Sequence, residues 1–144
     1  LHTRLPVVLP SRITPTLCER LAGSRLRVVV VIHANHPAEL AEAAAAALDA
    51  LAARRLALLN QSVLLRGVND RAEVLAALGE RLFELGVQPY YLHLLDRVDG
   101  AAHFEVAERR ALALMARLRA MSPGYLVPRL AREVPGAAGK VTLA

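Results

Sequence analysis

Short apolar runs alternate with longer amphipathic stretches along this chain of 144 residues. Four of the short runs predict β-strands, over residues 5–9, 26–32, 56–59 and 87–95. The longer stretches predict helices, over residues 14–22, 37–55, 70–85 and 105–121. Because repeats of strand, loop and helix join parallel strands through right-handed crossovers, the pattern indicates an α/β fold.

The ends of these elements carry local signals. Thr14 is predicted to cap the first helix, Asp70 to cap the third, and Gly86 to close it. The chain after residue 122 is rich in glycine and proline with short extended pieces, so we expect two parts, residues 1–122 and residues 123–144.

Four parallel strands are too few for a closed barrel of eight, which predicts part of a larger or partial barrel. The first predicted strand, residues 5–9, has no helix before it, and the chain begins with Leu1 rather than methionine. We therefore expect a fragment whose N-terminal partner is missing.

Polar side chains follow the predicted strands where the strands end. In parallel α/β folds these loops meet at one rim and carry the functional site. The residues expected there are His33, Asn35, His36, Asn60, Gln61, Ser62, His93 and Asp96.

Composition excludes several classes of protein. The chain is 55% hydrophobic and 22% charged, which excludes a disordered chain. Its net charge of +5 comes from scattered arginines without interleaved aromatics, so nucleic acid is not an expected partner. No apolar run approaches the length of a membrane span, and there is no secretory signal. Cys18 is the one cysteine, which indicates a reducing, cytoplasmic setting.

Lys140 is the one lysine among 18 lysine and arginine residues. A lysine has a primary amine that can lose its proton and attack a carbonyl group, and arginine does not. A chance lysine in a C-terminal tail is the alternative.

Other candidates have structural alternatives of their own. His33 and His36 have the spacing of a metal pair, but without a third ligand a hydrogen-bonding role is preferred. The glycines before Lys140 do not have the spacing of a phosphate-binding loop. Tyr90 and Tyr91 could stack on a flat cofactor or pack within a strand.

Several segments resemble the lysine 2,3-aminomutase family of radical S-adenosylmethionine enzymes. They are spread along the whole chain, at residues 5–14, 33–37, 59–70, 89–91, 124–128 and 135–140. Residues 91–104 and 126–134 look most like the branch that makes (R)-β-lysine for elongation factor P, which a partner ligase attaches. The tail is closer to the free-lysine aminomutases.

The resemblance implies an α/β fold, the C-terminal part of a partial (β/α) radical S-adenosylmethionine barrel with an irregular C-terminal cofactor-binding segment. It implies that Lys140 carries pyridoxal phosphate and that Asp96 and Glu133 bind the distal ammonium of the substrate L-lysine. It places His33 and Gln61 against S-adenosylmethionine. In the free-lysine enzymes a tyrosine near the cofactor stands at the position of His93.

The 4Fe-4S cluster of this family needs a Cys-x3-Cys-x2-Cys motif, and the chain has Cys18 alone. We therefore expect a C-terminal portion that is inactive by itself. Two alternatives remain: an aminomutase for another amino acid such as glutamate, which the acidic pair Asp96 and Glu133 disfavours, and a non-catalytic remnant that binds pyridoxal phosphate or a partner protein. A homo-oligomer is left open.

Overall fold

The computed structural model describes residues 1–96, 100–134, 136 and 139–144. Its five strands form one sheet in chain order. The first four run parallel, and the fifth is antiparallel to the fourth. The strands are β1 (Val29–His33), β2 (Ala57–Leu64), β3 (Val87–Leu94), β4 (Arg129–Arg132) and β5 (Val141–Thr142).

Five α-helices accompany the sheet. They are α1 (Leu5–Val8), α2 (Pro15–Ala22), α3 (Glu42–Ala52), α4 (Ala72–Glu84) and α5 (Glu108–Met121). Short 3-10 turns lie at Pro10–Arg12, Pro37–Glu39, Ala102–Phe104 and Gly124–Leu126. The predicted α/β class with parallel strands is therefore confirmed.

The hydrophobic core lies on the face of the sheet that the helices cover. One cluster joins Ile32 of β1 to Leu48 of α3 and Leu82 of α4. A second joins Leu92 of β3 to Met115 of α5. All five side chains are at most 1% exposed, so one face of the sheet is fixed against helices and the other is left for a site.

The strand predicted over residues 5–9 is wrong, because the chain forms helix α1 there. Pro6 lacks the N–H that a ladder needs, but it fits the first turn of a helix. The segment before it contacts the sheet instead: the backbone N–H of Thr3 donates to Val31 O at 3.0 Å.

Strand β2 is longer than predicted, so Asn60, Gln61 and Ser62 lie within the strand rather than in the loop after it. The predicted helix over residues 37–55 is shorter, because Pro37–Glu39 forms a 3-10 turn closed by a capping box before α3 begins.

Local signals were right at two of three helix ends. Thr14 caps α2 by accepting from Leu17 N, and Gly86 follows α4 with φ of 70°. Asp70 does not cap α4: it accepts from Gly67 N and pairs with Arg110 at 2.7 Å.

None of the described helices has the length and apolar character needed to cross a membrane.

Candidate functional site

Matching positions on neighbouring strands place several predicted residues on one face of the sheet. His33 is in register with Gln61, and Gln61 with Tyr91. His93 is in register with Val63. Because successive side chains of a strand point to opposite faces, these residues share the face away from the helical core.

A β-bulge keeps this alignment across β2 and β3. Asn60 pairs with Pro89, but Gln61 pairs with Tyr91, so Tyr90 is the extra residue. Bulges of this kind re-aim the side chains beyond them. If the same residues paired regularly, with no bulge, Tyr91 would stand opposite Ser62 and face the helices, and His93 would turn away from the candidate site.

Buried asparagines hold the strand ends next to the site. Asn60 accepts from Ala34 N at 2.8 Å and donates to Ala34 O at 3.0 Å. Ser62 also donates to Ala34 O, at 2.8 Å. Asn60 and Ser62 therefore join β1 to β2 on the helical face and do not reach the rim where they were expected.

Asn69 makes a second connection, which the sequence did not single out. Its amide accepts from Leu65 N at 2.7 Å and donates to Asn35 O and Val63 O at 2.9 Å. The side chain of Asn35 in turn accepts from Val63 N at 2.8 Å. Asn35 is thus a structural residue of the strand ends.

The five residues to which the resemblance assigns a role all line one cavity of about 280 Å³. Hydrophobic residues of β2 and β3 complete its wall together with His93, which the sequence had placed only near the strand end. The polar lining residues are His33, Gln61, His93, Asp96, Glu133 and Lys140.

Among the described residues, the amine of Lys140 has three close neighbours. Its Nζ lies 3.1 Å from His93 Nε2 and 3.5 Å from Glu133 Oε1. It also lies over the ring of Tyr91, 5.1 Å from the centroid. The Lys140 side chain is 31% exposed, so a ligand in the cavity can reach the amine.

Asp96 and Glu133 also line a larger neighbouring cavity of about 730 Å³. Glu105, Glu108 and Arg132 line it as well, and the last two pair with each other. The remaining carboxylates give this cavity an excess of negative charge, so it favours a cationic ligand.

Two histidines in the site are held uncharged. Burial lowers the pKa of His33, and the positive charge of Arg4 adds to this effect. Burial also lowers the pKa of His93, aided by the Lys140 ammonium and opposed by Glu133. Both imidazoles are therefore neutral near neutral pH, where a ring nitrogen can accept a hydrogen bond.

These shifts predict an acid-sensitive fold. A histidine whose pKa is lower in the folded chain than in the unfolded one contributes stability that is lost as the pH falls below about 6.5. Urea unfolding should therefore give a smaller free energy of unfolding near pH 5 than near pH 7.5. Substituting both His33 and His93 with glutamine should reduce this difference. If the double variant shows the same difference in unfolding free energy between the two pH values, His33 and His93 are not its cause.

The other sequence candidates do not join the site. His36 Nδ1 accepts from Ala38 N at 3.1 Å, so it closes a turn instead of pairing with His33. Cys18 is fully buried in α2. Within the described ranges no three histidine, cysteine, aspartate or glutamate side chains form a metal-binding group. Much of the glycine-rich segment before Lys140 lies outside the described residues.

Comparisons with known proteins identify relatives along the whole chain. The chain is 50% identical to the L-lysine 2,3-aminomutases of Haemophilus influenzae and Escherichia coli, over 100% and 99% of its length. It is 40% identical to that of Clostridium subterminale over 96%. The chain spans only 43%, 42% and 33% of these three relatives. No protein-family model matches it.

The fold also has a solved counterpart. A radical SAM methyltransferase from Sphaerobacter thermophilus aligns with 83% of this chain and 38% of its own, with a TM-score of 0.59 and 19% identity. At this identity the likeness is one of fold alone, and it agrees with the predicted partial barrel.

Proposed function

This chain is homologous over its whole length to part of the L-lysine 2,3-aminomutases, and on that premise we propose that it is the lysine-binding, cofactor-carrying part of a radical S-adenosylmethionine aminomutase. The complete protein would be an isomerase that converts L-lysine to β-lysine. The observation that carries the proposal is one cavity that holds the Lys140 amine together with Asp96 and Glu133.

Lys140 is the proposed attachment point for pyridoxal phosphate, within the segment of residues 123–144. The surroundings fit this cofactor: the amine lies beside a neutral imidazole and over the aromatic face of Tyr91. When bound, pyridoxal phosphate supplies a conjugated ring that stabilises an unpaired electron near the substrate nitrogen. The chain's own part is to hold the Lys140 amine at the cavity wall, where it can add to a carbonyl group.

Asp96 and Glu133 are the proposed partners of the distal ammonium of L-lysine. Both carboxylates face the small cavity with Lys140 and the larger one beside it. Charge-assisted hydrogen bonds from an ammonium to two carboxylates fix its position as well as its charge. A substrate with a second carboxylate, such as glutamate, would be repelled there.

His33 and Gln61 are the proposed contacts of S-adenosylmethionine. Gln61 is 4% exposed and lines the same cavity as Lys140. The neutral imidazole of His33 lies in register beside it. Together they offer a donor and acceptors to a polar ligand at the edge of the cavity.

An iron–sulfur cluster does not fit this chain. Three thiolates are needed in the family motif, and the sequence has Cys18 alone, fully buried in a helix. We propose that the cluster is supplied by the part of the protein this chain does not span and that the chain alone is inactive. Reductive cleavage of S-adenosylmethionine by the isolated chain would contradict this.

We also propose that the product is (R)-β-lysine for elongation factor P, attached by a partner ligase in the cytoplasm. Two segments, residues 91–104 and 126–134, resemble that branch.

The proposed ammonium site predicts discrimination between L-lysine and L-norleucine, which has the same chain length without the ε-ammonium. The concentration of L-lysine needed to displace Lys140 from pyridoxal phosphate should be lower than that of L-norleucine by roughly tenfold or more, since hydrogen bonds to charged groups contribute about 1.5–3 kcal/mol. Competition is measured as loss of borohydride-trapped cofactor on Lys140.

Charge-removing variants check which carboxylates are responsible. Asp96→Asn and Glu133→Gln should each reduce the preference for L-lysine. Glu105→Gln is the matched control, because Glu105 lines only the larger cavity. Equal competition by the two amino acids in the wild type, or an equal loss in Glu105→Gln, would contradict the proposed site.

A further inference from the structure

Among the described residues, the nearest side-chain neighbour of the Lys140 amine is not a carboxylate but His93, with 3.1 Å between Nζ and Nε2. Glu133 is farther away, at 3.5 Å, and its side chain is 59% exposed to solvent. His93 and Lys140 are 47 positions apart in the sequence. The proposed function assigns His93 no step of its own, although its ring lines the same cavity as Lys140 and lies 5.4 Å from the Tyr91 ring, centroid to centroid.

We propose that His93 is a positioning residue that keeps the Lys140 amine in place in both its protonated and its neutral form. This inference rests on the proposed role of Lys140 as the cofactor-carrying lysine. Such a lysine must alternate between an ammonium and an amine with a lone pair, because only the latter attacks a carbonyl carbon. Its partner must bind both forms.

A neutral imidazole meets that requirement. Its Nε2 accepts from an ammonium when the ring proton is on Nδ1, and it donates to an amine lone pair when the proton is on Nε2. The other two neighbours favour the cation. A carboxylate such as Glu133 only accepts, and the face of Tyr91 attracts positive charge.

The surroundings of the ring support this role. His93 Nδ1 is buried without a partner among the described residues, so its proton is not fixed there by an acceptor. The form with the proton on Nε2, which donates to a neutral amine, is therefore accessible at this position.

Several charged or titratable groups face His93. Burial and the Lys140 charge lower the pKa of His93, and His33 acts in the same direction, whereas Glu133 and Asp96 oppose them. The Tyr91 ring lies 5.4 Å away, centroid to centroid. Below its lowered pKa the imidazolium has no lone pair and repels the ammonium, so the contact is lost in acid.

The first test measures the contact without any cofactor. The ring protons of His93 are followed by NMR as the pH changes, and their signal is assigned by its absence in His93→Gln. Lys140→Met should raise the titration midpoint of His93, because a positive charge that lowers its pKa is gone. Glu133→Gln should lower it. An unchanged midpoint in Lys140→Met would overturn the inference.

The second test measures how much His93 contributes to the reaction of the Lys140 amine with pyridoxal phosphate. The initial rate at which pyridoxal phosphate is trapped on Lys140 by borohydride should fall about three- to tenfold in His93→Leu, the range of one hydrogen bond. His93→Gln should stay within about twofold of the wild type at neutral pH, because an amide also donates and accepts.

The variants also differ in pH dependence. The wild-type rate should fall relative to His93→Gln once the pH drops below the lowered pKa of His93, because glutamine does not titrate. Equal rates in His93→Leu and the wild type, or a His93→Gln rate as low as that of His93→Leu, would overturn the inference. If the wild type traps no cofactor, the proposed function fails, and the NMR titration still decides the pairing.

Discussion

Replacing Lys140 with arginine is expected to abolish covalent attachment of pyridoxal phosphate to the chain. Lys140 is the one lysine in the sequence, and a guanidinium does not form the carbonyl adduct that a primary amine forms. Arginine retains the positive charge beside Glu133, so the variant should fold. We expect a loss of roughly a hundredfold or more in borohydride-trapped adduct at this position.

Peptide mapping by mass spectrometry provides the measurement. The map separates the adduct on Lys140 from any adduct on the N-terminal amine of the protein that is tested. Glu133→Gln is the matched control, since it alters the same cavity but keeps the amine. An adduct of wild-type yield in Lys140→Arg would remove the basis of the proposed function.

Substituting Asn69 with alanine is expected to destabilise the fold by about 3–5 kcal/mol. The side chain is fully buried and makes three hydrogen bonds to backbone groups of Leu65, Asn35 and Val63. Alanine leaves these groups without that partner, and each buried, unpaired group costs about 1–3 kcal/mol, although the costs do not simply add.

Urea unfolding measures this loss, with Ser122→Ala as the control. Ser122 Oγ is also buried but has no hydrogen-bond partner among the described residues, so its removal should change the free energy of unfolding by less than about 0.5 kcal/mol. A loss below about 1 kcal/mol in Asn69→Ala would show that water replaces the amide and that the strand ends are less rigid than inferred.

The periodicity of the sequence predicted the main elements because most are regular and long. β3 and α5 follow their patterns to within a few residues. The pattern failed where one residue overrode it, as Pro6 does in α1. It also failed in β2, because buried polar residues such as Asn60 look like a loop until their hydrogen-bond partners are known. Strands as short as β4 and β5 have too few residues to show a period.

The candidate site was predicted as a set of residues but not as an arrangement. Resemblance supplied Lys140, and strand order implied that the loop residues meet at one rim. The 3.1 Å approach of Lys140 to His93 could not be predicted, because it depends on the register of β3 with β4 and on the bulge at Tyr90. The order of apolar and polar residues in one strand does not by itself say which residue of the neighbouring strand stands opposite.

The short strand β5 fixes the position of Lys140 through backbone hydrogen bonds to β4. Val141, directly after Lys140, pairs with Arg132, directly before Glu133. Leu143 N donates to Leu130 O, and Leu130 N donates to Ala144 O, both at 2.8 Å. The last four residues thus act as an anchor whose side chains never enter the cavity. A linker or label that disturbs them would move the reactive amine while leaving every residue of the site intact.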